Sequence, residues 1–372
     1  MSVRPKTRRN SSIELLKILA VGMIVFSHAL PNSGGGTEYC IDLSKATTDV
    51  QQIIMLFVRY GGQLGNDIFI VASAWFLLDS KKANAQKAVH IVVDCWVISV
   101  LFMLGFTLCG VKLPLGVVLK SLIPITMNAN WFVGCYLIYY LIHPALNITI
   151  EAIDQKQLLT TNLVLAFFYC GIQTIIRDRF YYTQVVGFIC IYFFTAYMKK
   201  YMVRFVQSKR ENIRCFLLSA GMFTLSLIML NSLGLRIGAL RNYMTTWSVI
   251  TNPFLIVMAM ALFNLFNSST FYSKSVNYIS GLSLLIYMIH GNRLVEDELR
   301  MRFFAAVYQK FSYNAIIFWC VVLGMGLLTG SAVLSILYKE GIQKPLYRLA
   351  DRAFTGTIDI GERMIDRVIS KE

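Results

Sequence analysis

Glu14, Lys17 and His28 share the first apolar segment, IELLKILAVGMIVFSHAL, and each has a side chain that carries charge or exchanges protons. In a helix Glu14 and Lys17 are one turn apart and can form an ion pair. Lys17 and His28 are eleven residues apart, about three turns and roughly 16 Å of rise, so they lie on one side of the helix.

An imidazole titrates near neutral pH and can act as a general base, whereas an ammonium ion attracts anionic groups such as phosphates. We therefore predict that the side chains of Lys17 and His28 face the same functional site in the interior of the protein. A second interpretation is that Lys17 snorkels to lipid headgroups and His28 marks the opposite membrane interface.

The second apolar segment contains a carboxylate. Asn66 and Asp67 open a polar stretch that continues to Ser73 within GNDIFIVASAWFLL. We expect Asp67 to orient His28 or to balance its charge, as carboxylates do for imidazoles in other sites. The alternative is a hydrogen-bonded packing residue, beside small side chains that let two helices approach closely.

A late segment, ISGLSLLIYMIHGN, aligns three hydrogen-bonding side chains. Ser283, Tyr287 and His290 are spaced by four and three residues, which places them on one helical face. Polar groups inside a membrane segment are costly, so the pattern favours a functional role over chance hydrogen bonding. Trp131 and Tyr136 lie in NANWFVGCYLIYY. Their residue types alone are consistent with an interfacial aromatic belt as well as with a functional site.

The composition indicates that a membrane must hold these segments in place. Hydrophobic residues make up 56% of the chain and charged residues 15%, with a mean hydropathy of +0.58, beyond the range of a soluble domain. The predicted fold is all-α, a polytopic bundle of about ten spanning helices. We place them near residues 13–30, 54–78, 89–109, 131–149, 159–176, 183–198, 215–234, 247–266, 276–290 and 314–337.

The basic residues predict the orientation of the bundle. With the N-terminus inside, the two terminal segments and the inner connections hold 22 Lys and Arg residues, and the outer connections hold 11, so both termini are predicted to be cytoplasmic. The net charge of +15 then belongs to a membrane-facing inner surface, and no nucleic-acid partner is expected.

This orientation divides the chain into three parts. Residues 1–12 form a basic cytoplasmic N-terminus, residues 13–337 the membrane domain, and residues 338–372 a basic cytoplasmic tail. The apolar spacing in the tail predicts a partly amphipathic helix on the inner leaflet. A solvated tail is the alternative.

Four stretches, in this order, resemble acyltransferase family 3, the integral membrane O-acyltransferases of envelope polysaccharides. Lys17, ten residues and His28 fill the frame in which the family has Arg, ten residues and His. GNDIFIVASAWF is similar to the second-helix signature, WFVGCYLIYYLIHPALN to the Trp-led helix, and SLLIYMIH to the late Ser, Tyr and His segment. The resemblance extends from about residue 10 to about residue 337.

The chain departs from the family pattern at three places. Lys17 stands where the family has Arg, which keeps the charge but loses the bidentate guanidinium fork. Ala74 replaces the usual Gly after the serine of the second helix, and KKANAQK stands where the family has an R-x-x-R stretch.

The resemblance implies transfer of an acyl group, commonly acetyl, from cytoplasmic acyl-CoA to a hydroxyl of a cell-envelope or exported polysaccharide. The chain is expected to be a multi-pass protein of a bacterial plasma membrane. Expected partners are acyl-CoA, a glycan or lipid-linked saccharide and membrane lipids, with no bound cofactor and no metal. The alternatives are a transporter or flippase for a lipid-linked glycan, and a non-catalytic module that recruits a biosynthetic partner.

The resemblance also implies roles for individual residues. His28 is expected to act as general base, with an acyl-His intermediate as a variant of the same reaction. The other catalytic residues are expected to be Lys17 and Asp67. The expected substrate-binding residues are Glu14, Trp131, Tyr136, Ser283, Tyr287 and His290.

Overall fold

The structure is a computed structural model that describes residues 9–31, 41–127, 129–175, 183–244 and 250–369. Most of the predicted segment 1–12 and the last residues of the predicted tail therefore lie outside the described residues. Regular structure in the described part is helical, as an all-α fold requires. The α-helices are α1 (Ser11–His28), α2 (Val50–Leu77), α3 (Ala85–Leu108), α4 (Leu115–Leu122), α5 (Trp131–Ala152), α6 (Gln155–Leu165), α7 (Gln173–Ile175), α8 (Gln184–Tyr201), α9 (Val203–Gln207), α10 (Lys209–Arg236), α11 (Pro253–Asn267), α12 (Lys274–Ser280), α13 (Ser283–His290), α14 (Met301–Lys310), α15 (Ile316–Tyr338) and α16 (Lys344–Ile369).

Three π-helical turns extend these helices, at Ala166–Ile172, Val295–Arg300 and Lys339–Gln343. Five helical stretches of the described chain are long and apolar enough to cross a membrane, namely Ser11–His28, Ala85–Leu108, Trp131–Ala152, Lys209–Arg236 and Tyr313–Gly356. The expected count of about ten spans and the cytoplasmic position of both termini stay predictions.

Glycines allow α1 and α2 to pack closely against each other. A Cβ atom added to Gly62 would lie 2.0 Å from the Ser27 Oγ, and one added to Gly65 would lie 2.6 Å from the carbonyl oxygen of Ala20. Small residues at such a contact let two backbones approach within van der Waals distance, which drives helix association in lipid. The contact fixes the position of α1, and therefore of the side chains at both of its ends.

We expect Gly65→Leu to destabilise the protein by about 1–3 kcal/mol, because the new side chain meets the backbone of α1 and forces the helices apart. Gly61→Leu is the matched control, since a Cβ at Gly61 has no described atom within 4 Å. Thermal unfolding in detergent should give a lower midpoint for Gly65→Leu than for Gly61→Leu. Equal midpoints would show that the close contact does not hold α1.

The proline of α5 is accommodated by a neighbouring histidine. Pro144 lies inside the helix and cannot donate a hydrogen bond to the carbonyl of Tyr140 four residues earlier. The His143 Nδ1 lies 2.6 Å from that oxygen and donates to it instead. This bond satisfies the carbonyl that proline frees, so α5 continues through the position.

The predicted tail is helical and its first turns are anchored to α3. The buried carboxylate of Asp94 accepts hydrogen bonds from the Tyr338 hydroxyl at 2.9 Å, the Gln343 amide at 2.9 Å and the Tyr347 hydroxyl at 2.5 Å. The His90 ring stacks on Tyr347, with the ring centroids 3.7 Å apart. These contacts hold the start of α16 against α3, and its position on a leaflet stays a prediction.

Candidate active site

Two histidines meet where α1 and α13 end. His28 is the last residue of α1 and His290 the last residue of α13. Their ring centroids are 5.1 Å apart, with the planes tilted by 36°. Because α13 packs against α1, the structure places together two imidazoles that the sequence presents in separate segments.

The hydrogen bonding of His290 defines its tautomer. The His290 Nδ1 lies 2.6 Å from the carbonyl oxygen of Ile286, and a carbonyl only accepts, so Nδ1 carries the hydrogen and Nε2 keeps its lone pair. Nε2 is buried and finds no hydrogen-bond partner among the described residues. Buried polar atoms normally have partners, so this nitrogen is ready to accept a hydrogen bond from a hydroxyl group.

A π-helical turn outside the predicted spans contacts His28. The Glu296 Oε1 lies 3.7 Å from the His28 Nδ1, and the Arg300 Nη1 donates a hydrogen bond of 3.3 Å to the carbonyl oxygen of His28. Residues 291–313 lie between two predicted spans, and the sequence alone predicts neither contact. The available signal was a carboxylate and a guanidinium four residues apart in VEDELR, and π-helical turns occur frequently at functional sites.

Glu296 is partly buried near the guanidinium of Arg300. Burial raises the pKa of the Glu296 carboxyl, and the nearby Arg300 guanidinium opposes this by favouring the charged form. The distance from Glu296 to the His28 Nδ1 is too long for a hydrogen bond, and Nδ1 has no hydrogen-bond partner among the described residues. Glu296 therefore acts on His28 as a nearby negative charge, which favours the imidazolium form.

Aromatic side chains border the histidine pair. The Tyr287 ring is perpendicular to that of His290, with centroids 5.6 Å apart, and Phe132 lies 5.0 Å from Tyr287. Trp131 begins α5 and packs edge-on against Phe132 at 5.6 Å. The structure therefore brings together the predicted residues His28, Tyr287 and His290. The ring of Phe132 lies between Tyr287 and Trp131.

Ser283 and Tyr136 lie away from the pair. Ser283 begins α13, seven residues or about 10 Å of helix before His290, and its buried Oγ has no partner within the described chain. Tyr136 stacks on Tyr140 at 6.1 Å and its hydroxyl is within hydrogen-bonding reach of Ser73. The structure therefore does not place these two predicted side chains beside the histidine pair.

Asp67 does not face His28. It is fully buried, accepts a hydrogen bond of 3.1 Å from the Gln63 amide, and its Oδ2 has no partner among the residues described. Helix α2 runs antiparallel to α1, so Asp67 lies beyond Gly65, whose neighbour is Ala20, and away from the level of His28. The carboxylate that faces His28 is Glu296.

The opposite end of α1 carries the predicted ion pair, and this prediction is confirmed. The Lys17 Nζ lies 3.2 Å from both carboxylate oxygens of Glu14, and the Ser280 hydroxyl of α12 donates to Glu14. Lys87 lies over the Tyr140 ring at 5.0 Å and experiences the positive charge of Lys17. The positive charges of Lys17 and Lys87 exceed the single negative charge of Glu14. This excess of positive charge suits an anionic ligand.

A cavity of about 20 Å³, room for about one water molecule, lies between α3, α4 and the turn that follows α13. The amide oxygen of Asn130 is buried there and has no hydrogen-bond partner in the described parts of the chain. A cavity of this size holds a single small polar group and not a sugar ring. The polar lining residues are Ser99, Lys120, Ser121, Asn130, Asn292 and Arg293.

Comparison with known proteins gives one match. The family model described as "Acyltransferase domain" matches residues 10–336. No curated protein and no solved structure matches the chain.

Proposed function

Since the chain belongs to acyltransferase family 3, we propose that this membrane acyltransferase moves an acyl group, commonly acetyl, from cytoplasmic acyl-CoA to a hydroxyl of a cell-envelope or exported polysaccharide. One observation carries the proposal: His28 meets His290 and Glu296 at the end of α1. This arrangement supplies a base, a hydrogen-bond acceptor for a hydroxyl and a carboxylate that stabilises the protonated base.

The chemistry requires one proton to move twice. The His28 imidazole removes the proton of the acceptor hydroxyl as its oxygen attacks the carbonyl carbon of the thioester. The bond between that carbon and sulfur then breaks, and the CoA thiolate takes the proton from the imidazolium. Glu296 stabilises the imidazolium between the two transfers, and the His290 Nε2 accepts a hydrogen bond from the incoming hydroxyl.

The donor approaches from the end of the bundle that carries Lys17. Lys17 is about 16 Å of helix rise from His28. The phosphates of acyl-CoA would bind near Lys17, and the long thioester arm would extend along α1 towards the histidines. The hydroxyl of the acceptor would approach the His290 Nε2, which has no hydrogen-bond partner among the described residues.

The purified protein in vesicles tests this function. Acetyl-CoA is supplied on one side, and a panel of envelope polysaccharide fragments on the other. We expect the release of free CoA thiol together with one acetyl added to an acceptor, both measured by mass spectrometry. Movement of the glycan across the membrane without thiol release would identify a transporter or flippase instead.

Substitutions of Lys17 test the donor site. We expect Lys17→Ala to raise the KM for acyl-CoA by about tenfold, because a charge-assisted contact to phosphate is lost, and Lys17→Arg to keep the KM near that of the parent protein. Lys45→Ala is the control for a lost positive charge, since Lys45 pairs with Asp42 elsewhere in the fold, at 3.1 Å. An unchanged KM in Lys17→Ala would remove Lys17 from the donor site.

A further inference from the structure

A π-helical turn after α15 contacts α12. The turn is Lys339–Gln343, and the Nζ of Lys339 lies over the Tyr278 ring, 4.3 Å from its centroid. The Tyr278 hydroxyl donates a hydrogen bond of 3.0 Å to Glu340, and Glu340 also pairs with Lys344 at 3.4 Å. The carboxylate of Glu340 therefore has two partners of its own, and the ammonium group of Lys339 is placed against α12.

Helix α12 connects the ammonium group of Lys339 with the ion pair of α1. α12 packs against α1, and the hydroxyl of Ser280, its last residue, donates to Glu14, the partner of Lys17. A Cβ added to Gly281, the next residue, would lie 3.8 Å from the Lys339 Nζ. Lys339 and Lys17 are therefore neighbours across the end of α12 and one carboxylate.

The ammonium groups near this end of α1 carry more charge than the carboxylate between them. Lys87 of α3 experiences the positive charge of Lys17, so the cations of α1, α3 and the π-helical turn lie near one another. Glu14 balances one of the three positive charges. The remaining excess, supplied by three separate elements, suits a ligand with several phosphates better than one with a single negative charge.

A buried carboxylate of α3 fixes the position of this turn. Asp94 accepts a hydrogen bond of 2.9 Å from the Tyr338 hydroxyl, directly before the turn, and one of 2.9 Å from the Gln343 amide at its end. Lys339 lies between these two anchored residues. π-Helical turns occur frequently at functional sites, and the π-helical turn Val295–Arg300 contacts the opposite end of α1.

We propose that Lys339 is a donor-binding residue and that, together with Lys17 and Lys87, it binds the phosphates at the nucleotide end of acyl-CoA. This role rests on the proposed acyl transfer and extends the donor site from one lysine to three. The phosphates, and not only the thioester arm, then decide which thioester serves as donor. Lipid headgroups offer phosphate of the same chemistry, so the measurements must separate the two sources.

Binding of CoA to the purified protein in phosphatidylcholine nanodiscs is measured by calorimetry. We expect Lys339→Gln to raise the Kd for CoA about tenfold, because a charge-assisted contact to phosphate is lost, and Lys339→Arg to keep the Kd near that of the parent protein. Lys339→Met is a second neutral variant that keeps an unbranched stem over the Tyr278 ring, in case glutamine weakens the fold. An unchanged Kd in the neutral variants would overturn the proposal.

Lys344→Gln is the matched control for the lost charge. The Lys344 ammonium pairs with Glu340 and its side chain is 69% exposed, so its removal should leave the Kd for CoA unchanged. An equal rise of the Kd in Lys344→Gln would show a general attraction of anions and overturn a specific contact. The lipid alternative is tested by the amount of phosphatidylglycerol that co-purifies with each variant. A loss of that lipid in Lys339→Gln at an unchanged Kd for CoA would assign Lys339 to headgroups.

Transfer kinetics separate the role of Lys339 from the proposed function. The donors are acetyl-CoA and S-acetylpantetheine, which has the same thioester arm without phosphate. We expect the ratio of their kcat/KM values, acetyl-CoA over S-acetylpantetheine, to fall about tenfold in Lys339→Gln and to stay unchanged in Lys344→Gln. An unchanged ratio in Lys339→Gln overturns the role of Lys339 and leaves acyl transfer in place. Binding of CoA that depends on Lys339, without transfer to any acceptor, overturns the proposed function alone.

Discussion

Replacement of His28 by alanine is expected to lower the kcat for acyl transfer by about 10²- to 10⁴-fold, the contribution of a positioned general base. The oxygen then attacks the thioester without the base that takes its proton. His290 keeps a lone pair on Nε2, but among the described residues no carboxylate pairs with its ring as Glu296 does with His28. The KM for acyl-CoA should change little, since the donor phosphates bind near Lys17.

The measurement is the rate of CoA thiol release in vesicles with saturating acyl-CoA and acceptor. Membrane insertion and the thermal unfolding midpoint are recorded for the same samples. The His28 side chain is 28% exposed, so its removal should leave both close to the parent values. Acyl transfer at the parent rate in a correctly inserted His28→Ala protein would refute the mechanism.

The sequence predicts the helices well because each apolar segment must satisfy its own backbone hydrogen bonds. It also predicts the Glu14–Lys17 pair and the shared face of Tyr287 and His290, since both follow from helical spacing within one segment. The family's order of motifs points to His28 and His290 separately. Their contact depends on how α13 packs against α1, which no local pattern encodes.

The positions of Asp67 and Glu296 relative to His28 depend on how separate segments of the chain pack against each other. Asp67 was expected beside His28 because both are intramembrane polar groups, but the glycine contacts of α2 place Asp67 beyond the level of Ala20. Glu296 lies in a polar stretch between two predicted spans, and the sequence pattern gives it no role. The helical turn Val295–Arg300 folds back over the end of α1. The contact of Glu296 with His28 is therefore a tertiary contact, which local sequence does not predict.

The effect of Glu296 on catalysis can be measured by substitution. We expect Glu296→Gln to lower kcat by about tenfold to hundredfold, because glutamine fills the same space but cannot neutralise the imidazolium. The effect should be smaller than that of His28→Ala, since the base itself remains. The measurement is again thiol release at saturating substrates, with the KM for acyl-CoA determined in parallel.

Asp297→Asn is the control that separates a local role from general electrostatics. Asp297 is the next residue, but its carboxylate pairs with the exposed guanidinium of Arg293 at 2.9 Å, and exposed pairs of this kind contribute little. Removal of either carboxylate changes the net charge of the connection equally. If Glu296 acts through His28, only Glu296→Gln lowers kcat, and the double variant with His28→Ala loses no more than His28→Ala alone. Equal losses in Glu296→Gln and Asp297→Asn, or a further loss in the double variant, would assign Glu296 to the stability of the turn and not to the orientation of the base.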